Sequence, residues 1–466
     1  MQSNYLLLRI VYQLIMKLKL PKSKVTIACF ILFSIFNLNA QAQEVITLQK
    51  AIDLTLERNL TIKQSQFTEA LTDQDLKQSK YNQLPNLTAG PQASFNFGRN
   101  IDPSTNQFIN QRIFALSGNA SSQLTIFQGG QLRNQIIANR LQLDADRSST
   151  AKVKNDLILN VVTTYLSVLT NQDLVAAALQ QIDIAKITLD RAQKNYDAGN
   201  QTLADLSQAK AQVSTADLNY TTAQNQFDLS VLTLKQYMEM APSTSIVVEK
   251  PDISKLRDIS TVFDPESVLK TALSVNPDIS LAEARQKVAA QNINIAKGNY
   301  YPSIVLFGQA GTNYSDARKL LGGGSYPFFT QLSDNFNQSA GVSLQIPIFG
   351  RFTARTSVRK ARISLENAEV TAQLARNNLG KIIYQAVWDV RAADKKYQST
   401  QQTYQANKDA FNVIQQRYNV GLVNSLDYNT SLTNLNKSQF DLIQAKYEVV
   451  FRSKIIDYYL GNPIKL

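Results

Sequence analysis

The feature that most constrains this chain is an internal duplication in which the second half of the sequence repeats the pattern of the first. Two stretches of helical pattern, 51–85 and 268–302, each end in proline; the first contains Glu57-Arg58-Asn59-Leu60 and the second Ser274-Val275-Asn276-Pro277. Asn59 and Asn276 are 217 positions apart, as are Pro85 and Pro302, so the register holds along the whole stretch. Further on, Leu124-Thr125-Ile126-Phe127 matches Ile346-Pro347-Ile348-Phe349 at a spacing of 222, which also relates Tyr196-Asp197-Ala198-Gly199 to Tyr418-Asn419-Val420-Gly421 and Asp205 to Asp427. One architectural unit is used twice, joined by a Pro-containing linker over 241–261. The length of 466 residues, which alone suggests two to four domains, therefore describes a unit and its copy.

Within each unit the hydrophobic period changes at the prolines and glycines. After Pro85, Leu87, Ala89, Pro91, Ala93, Phe95 and Phe97 alternate with polar Asn86, Thr88, Gln92, Ser94 and Asn96, a two-faced strand. A second strand carries Phe114, Leu116, Ala120, Leu124 and Ile126 on one face and Ser117, Asn119, Ser121 and Gln123 on the other. The copy has Ile304, Leu306, Ala310 and Tyr314, then Val342, Leu344, Ile346 and Ile348 alternating with Gly341, Ser343 and Gln345. The predicted strands are 86–99, 112–127, 303–315 and 338–349, long against the usual five or six residues.

Each strand pair is followed by glycine, Gly129-Gly130 and then Gly350, and by helical pattern to Gly199 and Gly421. No proline or glycine interrupts 131–198, so a continuous helix there runs roughly 100 Å. Beyond the Gly turns, Leu206, Val213, Tyr220, Phe227 and Leu234 recur every seventh residue, as do Tyr428, Leu435, Leu442, Val449 and Ile456. Ahead of the turns, Ile182, Leu189 and Tyr196 form one such row and Ala185, Ala192 and Gly199 another, repeated by Tyr404, Phe411 and Tyr418 and by Asn407, Ile414 and Gly421. Heptads on both sides of a short turn predict antiparallel helical hairpins packed as coiled coils, with these rows as their core. The predicted helices are 51–82, 131–198 and 202–240 in the first unit and 265–299, 351–420 and 424–460 in the second. The units span 43–240 and 263–466, with a linker at 241–262.

Lys17, Lys19, Lys22 and Lys24 precede an apolar run from Val25 to Phe36, followed by Asn39-Ala40-Gln41-Ala42, the pattern of an export signal cleaved after Ala42. The run of 12 residues falls short of the roughly 20 that span a bilayer. Met16 opens a better-proportioned signal than Met1, and both starts stay open. The lone cysteine, Cys29, lies inside the run in a poor lipoprotein context, so the mature chain is expected to be unlipidated and free of disulfides. Losing the five cations of 1–42 lowers the formal charge from +12 to +7, which does not suggest nucleic-acid binding. The absence of histidine removes imidazole general bases and His-containing metal sites, and no convergent carboxylate pair is visible, so an enzyme is not expected. Gly322-Gly323-Gly324 lacks the Lys-Ser/Thr ending of a phosphate loop, and no cofactor is expected.

Four two-faced strands cannot close a membrane barrel, since the smallest use eight, and an open edge in hydrocarbon leaves backbone groups unsatisfied. Two copies give eight strands, filled by their own side chains. Three give twelve and leave an aqueous lumen, consistent with the small polar residues on one strand face. The expected fold is mainly α with transmembrane β, a homotrimer closing a twelve-stranded barrel. Phe95, Phe97, Phe114, Phe127, Phe307 and Phe349 are candidates for interfacial belts.

Together the duplication, the Pro85 and Pro302 junctions and the twin tips Tyr196-x-x-Gly199 with Asp205 and Tyr418-x-x-Gly421 with Asp427 resemble the TolC-like outer-membrane efflux and type I secretion proteins. The resemblance implies a trimeric exit duct in the outer membrane of a Gram-negative bacterium, its barrel continued into the periplasm by an α-helical tunnel, with 245–250 in an equatorial region and helix 51–82 stacked on helix 202–240. It implies a periplasmic adaptor of the membrane-fusion type and an inner-membrane transporter of the RND or ABC type as partners. Asp427 then matches a ring aspartate of the closed entrance, with Thr430 at the second ring position, and Asp205 and Tyr418 match a pair that hydrogen-bonds between neighbouring tip helices. Val423 stands where an arginine completes that lock, so the entrance is expected to be less firmly latched. Gly199, Asn200, Gly421, Leu422 and Val423 are the expected adaptor-docking tips. Helix capping is the competing reading for Asp205 and Asp427, and chain reversal for the glycines. A periplasmic coiled-coil scaffold or adhesin, its strands in a soluble sandwich, is the alternative function.

Overall fold

The computed structural model describes residues 44–101, 106–251, 262–320, 322–462 and 464. The predicted signal, Cys29 and positions 252–261 of the linker lie outside the described residues. In chain order the principal elements are β1 (Glu44–Ile46), α1 (Leu48–Arg58), α2 (Leu60–Tyr81), β2 (Asn86–Asn96), β3 (Arg99–Ile101), β4 (Phe108–Asn110), β5 (Ile113–Gln128), α3 (Gln131–Asp197) and α4 (Leu203–Tyr237). There follow β6 (Ile246–Val248), α5 (Pro265–Val275), α6 (Pro277–Lys297), β7 (Ser303–Ser315), α7 (Phe328–Asp334), β8 (Asn337–Gln345), α8 (Thr353–Asn419) and α9 (Ser425–Tyr459).

The four long strands form one antiparallel sheet in the order β2-β5-β7-β8. The helices that run into or out of these strands pack in the same order, α2 on α3, α3 on α6 and α6 on α8. Each strand thus continues a helix, and the chain is a four-element curtain, half sheet and half helix. Register sorts the two faces. Ala89, Ala120 and Ala310 align in one row and Leu124, Leu306 and Val342 in another, with Phe95 opposite Phe114, all on one side. Thr88, Ser121, Gln309 and Ser339 align on the other side, where the Thr88 and Ser121 hydroxyls are 2.8 Å apart. Phe307 departs from the predicted belt: it faces Gln123 and Gly341 on the polar side, and a Cβ on Gly341 would come 2.9 Å from its ring.

The last strand is shorter than predicted, ending at Gln345 rather than 349, because Pro347 has no N–H to give the ladder. At the other junctions Pro85 and Pro302 stand directly before β2 and β7. Tyr301, ahead of Pro302, is extended (φ −98°, ψ 158°), as proline requires of its predecessor. The predicted helices 51–82 and 265–299 are each two helices. The breaks fall at Asn59 and Asn276, which end α1 and α5 and cap α2 and α6 through their side chains, at 2.9 Å to Thr61 N and 2.8 Å to Asp278 N. Asn59 Nδ2 also donates to the Tyr237 carbonyl at 3.1 Å, so it is α2 alone that stacks end to end on α4.

Left-handed backbone occupies Gly129 (φ 57°) and Gly130 (φ 73°) between β5 and α3. At the second junction it falls not on Gly350 but on Arg351 (φ 50°) and Phe352 (φ 61°), the positions 222 further on. A side chain in this conformation costs about 1–2 kcal/mol, so the copy keeps the turn at the expense of strain the first unit avoids. Gly129 is further confined by the second unit, since a Cβ there would lie 2.2 Å from the Gly298 carbonyl oxygen.

Between the two helical tiers lies the largest core. β1 and β6 pair in parallel over fully buried Tyr165, Leu169, Leu234 and Met238. The Tyr165 hydroxyl donates to the Glu249 carbonyl at 2.7 Å, with that of Ile46 at 3.1 Å, and burial holds the phenol well above its usual range. Asp173 joins both units there, accepting from Tyr447 at 2.9 Å and pairing with Lys250. Below, α4 packs on α3 and α9 on α8, and the hairpins meet through α3 and α9. The predicted heptads supply buried Ile182, Ala185, Ala192, Leu206, Leu234, Tyr428 and Ile456. Tyr196, also in the predicted rows, is exposed.

Candidate functional site

The distal end of the two hairpins gathers the predicted gate residues. Both tips close the same way: Gly199 and Gly421 have φ 77°, Asn200 N bonds to the Asn195 carbonyl at 2.8 Å, and Leu422 N to the Arg417 carbonyl at 2.9 Å. These six-to-one bonds satisfy the last carbonyls of α3 and α8, and glycine is required by φ, since a Cβ at either position meets no atom within 4 Å. Around the turns Val420, Leu422, Leu426 and Leu203 are exposed, while Val423 is half-buried.

Asp205 is both cap and tie. With Thr202 it completes a capping box, its N–H 3.2 Å from Thr202 Oγ1 and its carboxylate 3.1 Å from Thr202 N. The other carboxylate oxygen accepts a hydrogen bond from Ser425 Oγ on the opposite hairpin. That bond first, then those from Thr202, hold the Asp205 carboxyl below the usual carboxylate range. Tyr418 does not pair with Asp205. Its hydroxyl accepts from Gln201 Nε2 at 3.1 Å, and its ring stacks on Tyr428 with centroids 4.6 Å apart. A third link joins Arg191 to Asn419. The two tips are therefore laced together, through partners different from the expected pair. Ser425, Gln201, Arg191 and Asn419 carry no local sequence signal, because each has its partner in the other half of the chain.

Asp427 and Thr430 stand one turn apart outside this lacing. Asp427 N bonds to Asn424 Oδ1 at 2.8 Å, so the residue sits in a capped first turn with its side chain exposed. The Thr430 hydroxyl donates to the Leu426 carbonyl at 2.8 Å. Gln201 Oε1 and Asn429 Oδ1 are buried without a protein partner. At about 1–3 kcal/mol for each such atom, they weaken the packing of the tip, and locally weak packing is what moving parts are drawn from.

Elsewhere charge is used for joining. In a cleft of about 600 Å³ between α3, α6, α8 and α9, Lys152 spans Asp156 at 3.1 Å and Asp278 at 2.7 Å. Among the described residues no group of three or more His, Cys, Asp or Glu is placed to hold a metal ion, and no helix is long and apolar enough to cross a membrane.

The family model for the outer membrane efflux protein matches residues 51–238 and 268–462. The chain is 22% identical over 432 residues to the outer membrane efflux protein BepC of Brucella suis biovar 1 (strain 1330), covering 92% of this chain and 88% of that one. It is 24% identical over 316 residues to the outer membrane protein TolC of Escherichia coli (strain K12), covering 66% of this chain and 61% of that one. Its fold is similar to that of the Campylobacter jejuni CmeC outer membrane channel, with TM-score 0.74, 18% identity and coverage of 89% and 85%. The open state of the Neisseria gonorrhoeae MtrE outer membrane channel gives TM-score 0.68 and 20% identity, with 89% of each chain covered.

Proposed function

The chain belongs to the outer membrane efflux protein family, and from that premise we propose that three copies form a passive exit duct through the outer membrane, closed at its periplasmic end by the laced tips. The observation that carries the reading is the curtain itself. Its sheet has two unpaired edges, β2 and β8, and an apolar face that α7 covers at one end, where Phe328 meets Tyr314, and that is otherwise bare enough to leave Leu87, Val342 and Leu344 exposed. Pairing β8 of one copy with β2 of the next gives twelve strands, enough for an open lumen. It turns the Ser, Thr, Gln and Asn rows inward and the Ala, Leu and Phe rows to lipid. A sandwich adhesin would need a second sheet over that apolar face.

Residues 1–42 serve as the cleavable export signal and the mature chain is not lipidated. Two outer-membrane efflux repeats, 43–240 and 263–466, flank the equatorial segment. A periplasmic membrane-fusion adaptor docks on Gly199, Asn200, Gly421, Leu422 and Val423, beside exposed Val420 and Leu426, and an inner-membrane transporter of the RND or ABC type supplies the energy. The duct does no chemistry on its cargo. Asp427 and Thr430 line the entrance, and Asp205 and Tyr418 hold it shut through Ser425 and Gln201.

Planar-bilayer recording tests this. The purified protein should give small, mostly closed channels, and Asp205→Ala should raise the open fraction; a water-soluble monomer without conductance would overturn the duct.

A further inference from the structure

Resting on that outer-membrane reading, we infer that the helices directly below the barrel carry an outward collar of arginines that binds the phosphate headgroups of the phospholipid leaflet facing the periplasm. Arg133 and Arg140 lie one heptad apart on α3, and Arg355 and Arg362 stand at the equivalent positions of α8, at the same repeat spacing of 222. Lys80 and Lys297, in the last turns of α2 and α6, are related by the other repeat spacing of 217. Every helix that meets the sheet therefore brings a cation to the junction, and the duplication has kept each one.

All four arginines are exposed, and none bonds to a described residue. One heptad further from the sheet the same row changes character: Arg147 pairs with Asp144 at 3.4 Å and Glu69 at 3.7 Å, and its counterpart in α8 is Glu369. The next members of the row are half-buried Lys154 on α3 and Arg376 on α8, which pairs with Glu283 at 2.8 Å, so the exposed, unpaired arginines of this row are those of the first turns.

Its direction follows from the packing. On α3, Asn139 and Asp146 bond to α2, while Gln131 and Asn134 bond to α6 or the turn after it. At about 100° per residue, these contacts leave two free sectors. The narrower carries Gln135, Gln142 and Ser149; the wider carries Arg133 and Arg140. A curtain closed into a tube turns its wider sectors outward, so the arginines lie on the outer wall and the glutamines in the lumen.

The height fits as well. Arg133 and Arg355 come two residues into their helices, and Arg140 and Arg362 roughly 10 Å further along. Helical side chains lean toward the N-terminus, which for α3 and α8 is the barrel end, so all four reach back toward the membrane. Exposed Phe127, Phe349 and Phe352 at the two turns mark the interface just above them. A guanidinium fork binds phosphate through two bonds, and no carboxylate of the same row lies nearer the sheet than Asp144 and Glu366.

The test is a competition read by native mass spectrometry: purified trimer in an equimolar mixture of phosphatidylglycerol and phosphatidylcholine, scored by the ratio of the two lipids retained. Each basic residue at an anionic surface contributes about fivefold, so the quadruple variant R133Q/R140Q/R355Q/R362Q should lose at least about tenfold of the wild-type preference. The corresponding four Arg→Lys changes should keep most of it, and added salt should weaken it, as screening demands. A quadruple Gln variant that remains a conducting trimer with an unchanged lipid ratio overturns the collar and leaves the duct standing. A wild type that forms no conducting trimer overturns both.

Discussion

Gly129 and Gly421 share a left-handed backbone for different reasons, and the difference is measurable. At Gly421 only φ forbids a side chain, whereas at Gly129 the Gly298 carbonyl also blocks it. Gly421→Ala should cost about 1–2 kcal/mol. Gly129→Ala should cost more, roughly 3 kcal/mol, because backbone overlap adds to strain; equal losses in thermal stability would argue against the close approach. Asp205 makes the pH prediction. Its folded pKa is depressed, so the stability it lends the tip is present above its unfolded value of about 3.9 and is lost as pH falls through the lower folded value. Channel opening should therefore be flat from neutral pH to about 5 and rise only in stronger acid, and Asp205→Asn should flatten the acid limb. An acid limb unchanged in the variant would assign opening to another group.

Between elements, the tie from Asp205 to Ser425 joins one hairpin to the other. A double-mutant cycle of Asp205→Ala and Ser425→Ala should show coupling of about 0.5–3 kcal/mol, while additive losses would reduce Asp205 to a helix cap. Arg351→Gly should be neutral or stabilising by about 1 kcal/mol, since it relieves a left-handed arginine. Much at this scale was legible from spacing alone. The 217 and 222 offsets located the junctions and tips, and the heptads located the buried rows. The helix break at Asn59 was not legible, because no proline or glycine marks it and Asn59 interrupts the helix only where the chain abuts α4. The break at Asn276 was signalled by Pro277, which keeps its predecessor out of the helix and opens the next one, and the predicted helix 265–299 overlooked it. Phe307 was misassigned although its position is out of phase with Ile304, Leu306 and Ala310. The overlong fourth strand followed the repeat and overlooked Pro347. The lacing partners were invisible, since contacts between the two halves of the chain leave no periodic mark in one sequence.

At the scale of the whole molecule, strand order equals helix order, so closing the sheet also closes the tube beneath it. A single copy leaves β2 and β8 bare, and the trimeric barrel requires that they meet between copies. The mature chain, cleaved as proposed, has no cysteine, which allows a direct measurement. Ala89→Cys in β2 is combined in turn with single cysteine substitutions at 338–342 in β8, the protein is oxidised in the membrane, and the products are separated after denaturation. Cross-strand neighbours have Cβ atoms about 4.5–5.5 Å apart, within small adjustments of disulfide geometry. The predicted result is a covalent ladder at one register that ends at three copies. No intermolecular disulfide at any register, or a ladder that stops at two or runs past three, would contradict the trimeric barrel.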